Sequence, residues 1–311
     1  MTKSALITGC DGFIAKHLID YLLAKNYYIY AGYYKKKPKL YSKNLKIIKL
    51  NVTNNMHVLN ALKISKPNVI YHLAAKSLPS FSFKFPKETI KVNINGTLNI
   101  FENCRKLKIK PKIIVACSSG QFGARNLKNL PLRENDIQSP EHIYGLSKVF
   151  QELISKQYVK MYGLKIIISI IFNTTGPGKK GDVFTDFCKQ FQNQRRKKQI
   201  RIKVGNLNNY RDFLHVKDVC RALYILSLKG KVGSSYNICT SKYIKISEII
   251  SLMKKFSSKK IQIVKDKKLM RKFDEKYIFG SYKKIKKIGW KPVHSTEKIF
   301  KDICEYYKKK H

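Results

Sequence analysis

Acidic residues and arginine are scarce in this sequence. The chain has 19 Asp and Glu against 64 Lys and Arg, which gives a formal net charge of +45. Only nine of the basic residues are arginine, and the other 55 are lysines spread along the whole chain. Proteins that read nucleic acids concentrate arginine where base or phosphate contacts are bidentate. We therefore expect a solvated basic surface and no specific nucleic-acid partner.

Long hydrophobic runs and paired cysteines are also missing. The longest predominantly apolar stretch, residues 166–172, is far shorter than the roughly 20 residues of a membrane span. The N-terminus reaches Gly9 and Asp11 too early for a signal peptide. The seven cysteines form no CxxC pair, which argues against a zinc or dithiol site. We therefore expect reduced thiols, a cytoplasmic location, no metal and no membrane partner.

Apolar strands alternate with amphipathic helices through the first half of the chain. Helices are predicted around residues 56–63 and 89–107, and strands at residues 4–8, 28–33, 45–50, 69–73 and 112–117. This alternation predicts an α/β fold with a Rossmann-type, doubly wound parallel sheet over residues 1–173.

The pattern changes after residue 173. Residues 174–203 are basic and are predicted to be helical, and the last 70 residues mix short helices with loops. Residues 204–240 are expected to return in part to the main sheet through a strand at 235–239. We expect a smaller, discontinuous α/β C-terminal substrate lobe built from residues 174–203 and 241–311.

A glycine-rich turn joins the first predicted strand to the first helix. Residues 8–15 read TGCDGFIA, in which the two glycines permit positive φ angles and close backbone approach. The helix N-terminus behind them offers free N–H groups to a pyrophosphate. The predicted cofactor contacts in this turn are Gly9, Asp11, Gly12, Phe13 and Ile14.

The end of the second strand indicates which dinucleotide is preferred. An NAD site usually has a carboxylate there for the ribose 2′-hydroxyl, but residues 31–37 read AGYYKKK. Lys35 and Lys36 can hold a 2′-phosphate as point charges. We therefore expect NADPH to be preferred modestly, with NADH possible as a substitute.

A YxxxK pattern supplies the candidate catalytic pair. If Tyr144 and Lys148 lie at the start of a helix, their side chains share one face. The ammonium is then expected to lower the phenol pKa from its usual value of about 10, so that Tyr144 serves as an acid or base. Ser118 follows the strand at 112–117 and can hydrogen-bond the same substrate oxygen.

Taken in order, these motifs resemble the extended short-chain dehydrogenases of the nucleotide-sugar class. Residues 72–75, HLAA, are similar to the HxAA strand end of that family, and residues 92–97, VNINGT, to its VNxxGT helix. Asn51 stands where the family has Asp. The resemblance implies catalytic roles for Ser118, Tyr144 and Lys148, with the latter two also touching the cofactor, and further cofactor contacts from Asn51, Val52, Leu73, Ala74, Ala75 and Asn93.

Three further segments resemble the GDP-sugar members of this family, most closely the GDP-4-keto-6-deoxy-mannose reductases. They are FNTTGPG at 172–178, VGNL with RDF at 204–213, and Arg271 with Asp274 and Gly280. Lys272, Ser281 and Ile170 depart from the pattern. The resemblance implies that the substrate contacts are Ser77, Ser119, Gln121, Asn173, Val204, Arg211 and Arg271.

The resemblance implies reduction of the C4 keto group of a GDP-4-keto-6-deoxy hexose or heptose for surface polysaccharide, by a homodimer. Tyr144 would donate the proton, Lys148 would tune Tyr144 and hold the cofactor ribose, and Ser118 would polarise the carbonyl. A 4,6-dehydratase carries a carboxylate just after the catalytic Ser or Thr, and this chain has none there. A nucleotide-sugar 4-epimerase or dehydratase remains an alternative. A second alternative is a non-catalytic basic protein that binds nucleic acid or a partner on the same scaffold.

Overall fold

A parallel sheet organises the chain, and the computed structural model describes residues 3–270 and 276–309. The strands of the described residues are β1 Ser4–Thr8, β2 Tyr28–Tyr33, β3 Leu45–Lys49, β4 Val69–His72, β5 Lys112–Ser118, β6 Lys165–Ile171, β7 Thr174–Thr175, β8 Gln199–Val204, β9 Tyr210–Arg211, β10 Leu214–His215, β11 Ser235–Ile238, β12 Ile244–Lys245, β13 Lys260–Lys265 and β14 Tyr277–Ile278. Seven of them form the main sheet in the order β11-β6-β5-β4-β1-β2-β3, and all neighbours in it are parallel.

Helices cover both faces of this sheet. The α-helices of the described residues are α1 Phe13–Leu23, α2 Asn55–Ser65, α3 Pro79–Lys84, α4 Pro86–Ile90, α5 Gly96–Lys106, α6 Ile143–Tyr162, α7 Val183–Asn193, α8 Val216–Lys229, α9 Ile246–Lys255, α10 Lys283–Lys286 and α11 Thr296–Lys308. Successive strand residues point to opposite faces, so Ile7 joins an apolar cluster with α1 and α8, whereas Leu6 joins one with α2 and α5. The predicted doubly wound parallel sheet is confirmed.

Of the strands that lie where the sequence predicted helix or loop, β8 and β13 are the longest, with six residues each. β8 and β13 pair in parallel over residues 199–204 and 260–265. QIRIKV alternates polar and apolar residues throughout, and KIQIVK does so over its first four residues, which is the period of a half-buried strand. The two strands lie about sixty residues apart in the sequence, so no local pattern predicts that they pair. They pack with α7, α9 and α11 around a third apolar cluster that includes Phe184, Ile249 and Phe300.

The helix predicted at residues 89–107 is interrupted. α4 begins at Pro86, and residues 91–95 form a π-helical turn before α5 begins. The turn contains Asn93, whose side chain accepts from the Lys76 backbone N–H and donates to the Ser147 hydroxyl. These contacts with other elements favour the local change of pitch.

Within residues 3–270 and 276–309, no helix combines the length and apolar composition that a membrane span requires. The same residues contain no group of three or more His, Cys, Asp or Glu side chains arranged to hold a metal ion. All seven cysteines are buried and unpaired.

Candidate active site

A cleft of about 1510 Å³ opens at the carboxyl ends of the parallel strands. The loops after β1, β4, β5 and β6 all reach it, as expected for an open α/β sheet. The predicted site residues that line it are Gly9, Asp11, Gly12, Phe13, Ile14, Leu73, Ala74, Ala75, Ser77, Ser118, Ser119, Tyr144, Lys148, Asn173 and Arg211.

The glycine-rich turn presses against the end of β4. Gly9 has φ +69°, and a Cβ there would lie 2.8 Å from the Cα of Ala74. Gly12 is the N-cap of α1 and provides no side chain to occupy the first N–H groups of the helix. This bare helix N-terminus, facing a cleft, fits the pyrophosphate of a dinucleotide.

A buried hydrogen-bond chain begins beneath this turn. The Thr8 hydroxyl accepts from the Leu73 and Ala74 N–H groups, so its own proton goes to Nδ1 of His72, 3.0 Å away. Nε2 of His72 then donates to the Thr97 hydroxyl, also at 3.0 Å. Burial lowers the pKa of His72 to about 3, so the imidazole stays neutral.

The hydrogen-bond chain continues to Lys148. Nε2 of Gln151 donates to the Thr97 hydroxyl at 2.6 Å, and Oε1 of Gln151 accepts from Nζ of Lys148 at 2.6 Å. Lys148 also donates to the Ala116 carbonyl at 2.7 Å. Burial lowers the pKa of Lys148 to about 8. The sequence analysis did not identify Gln151, although it lies three residues after Lys148 and therefore on the same face of the helix.

The helix α6 begins at Ile143, so Tyr144 and Lys148 share a face as predicted. Nζ of Lys148 lies 5.7 Å from the centre of the Tyr144 ring. The pKa of the phenol is not lowered as the sequence predicted. Burial raises the pKa of Tyr144 to about 12, and this effect outweighs a hydrogen bond with Ser118 that lowers it. In this environment Tyr144 is a proton donor at neutral pH.

Gln121 lies outside the cleft, in contrast to the substrate contact predicted for it. Its side chain is fully buried and donates to the carboxylate of Glu152. Burial alone would raise the pKa of Glu152, but hydrogen bonds from Lys156 and Ser235 hold that pKa below its usual value. Gln121 therefore ties the loop after β5 to α6.

Three predicted cofactor residues also lie behind the cleft wall. Asn93 is fully buried, and Val52 packs against Gly96, where a Cβ would lie 2.6 Å from the Val52 side chain. Asn51 is half-buried and accepts from the N–H and hydroxyl of Thr53. Lys35 and Lys36 are exposed in the loop after β2, outside the cleft lining.

The other end of the cleft is rich in basic and amide side chains. Nδ2 of Asn173 is buried and has no hydrogen-bond partner among residues 3–270 and 276–309, so it offers a donor to a ligand. Arg211 is 7% exposed and donates to the Tyr210 carbonyl.

Val204, which was predicted to contact substrate, is 1% exposed, and its neighbours Lys203 and Gly205 line the cleft instead. Arg271 lies outside the described residues.

Two further cleft residues were not predicted to bind ligand. His142 is the N-cap of α6, because its Nδ1 accepts from the Gly145 N–H at 2.8 Å. Lys179 lies with its Nζ 5.1 Å from the centre of the Phe13 ring, and burial lowers its pKa. Lys179 directly follows the GPG turn at 176–178, and this position in the sequence could have indicated a ligand contact.

Comparisons with known proteins agree with this geometry. The chain is 28% identical to GDP-6-deoxy-D-mannose reductase of Pseudomonas aeruginosa, over 97% of this chain and 96% of that protein. The structure of RMD from Pseudomonas aeruginosa, complexed with NADPH, matches over the whole of both chains with a TM-score of 0.86 and 25% identity. UDP-glucose 4-epimerase of Thermotoga maritima, with UDP-glucose, matches over 99% of each chain with a TM-score of 0.88 and 25% identity.

A family model described as GDP-mannose 4,6 dehydratase matches residues 6–303, nearly the whole chain. The match spans the glycine-rich turn, the Tyr144–Lys148 pair and the basic end of the cleft. This chain is therefore a nucleotide-sugar-modifying short-chain dehydrogenase and belongs to the GDP-mannose 4,6 dehydratase family.

Proposed function

We propose that this enzyme reduces the C4 keto group of a GDP-linked 4-keto-6-deoxy sugar, a hexose or a heptose, with NADPH as the hydride donor. The observation that carries the proposal is the Tyr144 hydroxyl beside Ser118, which is followed in the sequence by Ser119 and Gly120 rather than by a carboxylate. Ketone reduction needs a proton donor at the carbonyl oxygen, whereas elimination across C5 and C6 needs an additional base. The similarity to a GDP-6-deoxy-D-mannose reductase supports the substrate class.

Each central side chain has a separate role in this reaction. NADPH supplies a hydride to C4 when it is bound. Tyr144 donates its proton to the C4 oxygen, and Ser118 hydrogen-bonds the same oxygen. Lys148, whose pKa burial lowers to about 8, is charged at neutral pH, stabilises the phenolate that remains and holds the ribose of the cofactor. The bare N-terminus of α1 binds the pyrophosphate, and Asn173 and Arg211 bind the diphosphate of the sugar nucleotide.

The 2′-phosphate of NADPH is assigned to Lys35 and Lys36. Two exposed lysine–phosphate contacts give a preference of about tenfold or less, because water and salt screen them. The test is kcat/KM for NADPH and NADH in the wild type and in Lys35→Glu/Lys36→Ala, at low and high ionic strength. A wild type that prefers NADH, or a double variant with an unchanged ratio, would overturn this assignment.

The reaction itself is tested with NADPH and a panel of GDP- and UDP-linked 4-keto sugars. Net NADPH consumption with a C4 alcohol as the product, identified by NMR, supports the reductase. The similarity to a UDP-glucose 4-epimerase makes epimerisation the second candidate. Interconversion of C4-epimeric sugar nucleotides that carry a C4 hydroxyl, assayed with NAD⁺ in place of NADPH and without its net reduction, would establish it. Formation of a 4-keto-6-deoxy product from GDP-mannose would instead establish a dehydratase.

A homodimer is proposed from the outer face of α6. Leu146, Phe150 and Leu153 are 39%, 47% and 52% exposed and follow one another at helical spacing. An apolar stripe of this kind is typical of an interface. Sedimentation should show a dimer that Phe150→Lys/Leu153→Lys converts to a folded monomer. A monomeric wild type would contradict the proposal.

We assign the enzyme to the cytoplasm. The seven unpaired, buried thiols support this assignment, because reducing compartments preserve free cysteine. Fractionation of the native host, with the protein detected by antibody, tests it.

A further inference from the structure

A second concave region lies at the opposite edge of the sheet from the cleft. It has a volume of about 830 Å³ and is lined by the first residues of β4, β5 and β6 and by Lys3, which precedes β1. The C-terminal ends of α2 and α8 complete its wall. We name it the basic pocket. It shares no lining residue with the candidate active site.

The lining of the basic pocket has charge of one sign. Six of its sixteen residues are lysines, compared with 55 of 311 in the whole chain, and none is Asp or Glu. The lysines are Lys3, Lys63, Lys66, Lys110, Lys112 and Lys165. The basic pocket is therefore richer in lysine than the composition of the chain explains.

Helix C-termini attract cations, and this attraction explains the position of one of the six lysines, Lys112. Nζ of Lys112 donates to the Leu228 carbonyl at the end of α8, at 3.0 Å. The ammonium groups of the other five form no ion pair with any described residue. Their charges are available to an anion.

The floor between these lysines is apolar. It includes Leu62, Pro67, Val69, Ile109 and Pro111. Small-molecule sites combine mainly apolar walls with a few polar groups, in volumes of about 300–1,000 Å³. An inorganic anion would leave this floor in contact with water, and a neutral apolar molecule would leave the lysines without a counter-charge.

We propose that the basic pocket binds a small amphiphilic anion, with an apolar body on the floor and a phosphate or carboxylate group held by the lysines. The probe for this site is 1-naphthyl phosphate, compared with 1-naphthol and with inorganic phosphate. Binding to the full chain is measured by calorimetry in the presence of saturating NADPH and GDP, which occupy the active-site cleft. We expect 1-naphthyl phosphate to bind more tightly than either comparison compound.

A charge-removing variant locates the site. Lys63→Gln/Lys66→Gly/Lys110→Gln should weaken binding of 1-naphthyl phosphate about tenfold or more. Lys66 has φ +36°, a region that favours glycine, so its replacement by glycine relieves strain rather than adding it. The matched control, Lys128→Gln/Lys291→Gln/Lys308→Gln, removes the same charge elsewhere and should bind as the wild type does. Thermal unfolding midpoints of both variants verify that they are folded.

Four results would overturn the proposal. They are no binding of 1-naphthyl phosphate to the wild type, equal binding of inorganic phosphate, equal binding of 1-naphthol, or an equal loss in the control variant. The last would show that net charge, rather than the basic pocket, attracts the probe.

Discussion

Burial shifts the pKa values of Tyr144 and Lys148 in opposite directions. It raises the pKa of the phenol to about 12 and lowers that of the ammonium to about 8. Both groups therefore hold their protons at neutral pH. A protonated phenol beside a charged lysine suits donation of a proton to a developing alkoxide, which is the direction that a reductase requires.

The first prediction concerns the hydroxyl of Tyr144. Tyr144→Phe keeps the ring and removes the proton donor, so turnover should fall by about 10²–10⁴-fold. The affinity for NADPH, measured by fluorescence titration, should change little. Lys148→Ala serves as the comparison and should weaken both turnover and NADPH affinity. Turnover of Tyr144→Phe close to that of the wild type would remove Tyr144 from the mechanism.

The second prediction concerns the pH profile and Gln151. Activity that depends on the charged Lys148 should decline as pH rises through about 8, where the ammonium loses its proton. Gln151→Met removes an acceptor from that ammonium and makes the charged form less favourable. The alkaline limb of kcat/KM should therefore move to lower pH.

Gln138→Met is the matched control for Gln151→Met. Gln138 donates to the carboxylate of Glu152, a residue of α6, at 2.8 Å. The control therefore also removes an amide that hydrogen-bonds α6, but not one that contacts Lys148. Its alkaline limb should coincide with that of the wild type. A shift in both variants, or in neither, would contradict a positioning role for Gln151.

At the scale of elements, α6 reverses the usual distribution of side chains. Its buried face carries polar groups such as Ser147, Lys148 and Gln151, whereas Phe150 and Leu153 are exposed. The polar face is satisfied by contacts with β5 and α5. A helix of this kind is stable when its apolar face is covered, which is why we expect a dimer there.

The third prediction concerns the turn between β1 and α1. Gly9→Ala places a methyl group 2.8 Å from the backbone of Ala74 at a φ of +69°. Either the turn or the end of β4 must move, so NADPH affinity should fall at least about tenfold. Isothermal titration measures the affinity.

Gly233→Ala is the control that separates the effect of backbone strain from the effect of the close contact between residue 9 and Ala74. Its φ is +77°, but its Cβ would meet only Val159, at an ordinary 3.4 Å, and it lies outside the cleft. It should lose some stability and keep its NADPH affinity. Equal losses of affinity in the two variants would indicate a global effect rather than a role of the Gly9 turn.

At the scale of the whole molecule, buried titratable groups make stability depend on pH. Burial lowers the pKa of His72 from 6.5 to about 3 and that of His215 from 6.5 to about 4. Below pH 6.5 the unfolded chain takes up protons that the folded chain does not, so these residues reduce stability as pH falls. Asp212 acts in the opposite sense, because burial raises its pKa from 3.8 to about 7.

The fourth prediction uses variants to separate these opposing contributions. Urea unfolding is followed between pH 4.5 and 7, and the slope of stability against pH is the readout. His72→Gln should lose stability less steeply than the wild type on acidification. Asp212→Asn should lose it more steeply, because the folded chain no longer retains that proton between pH 3.8 and 7. Slopes that change in the reverse directions would contradict these assignments.

The sequence by itself determined the fold class and the position of the cleft. Strand and helix periods are local, and in the parallel sheet that they predict the carboxyl ends of the strands share one edge. Gly9, Ser118 and Asn173 lie at that edge in the structure. The spacing of Tyr144 and Lys148 is also local, because one helical turn separates them on any helix.

Only the tertiary structure decided the contacts and protonation states that depend on distant residues. Gln121 pairs with Glu152, Gln151 with Thr97, and β8 with β13, and no local pattern links these partners. The pKa of Tyr144 moved in the direction opposite to that predicted, because the sequence shows a neighbouring lysine but not the extent of burial. Desolvation is a property of everything packed around a group, so it is fixed only when the whole chain has folded.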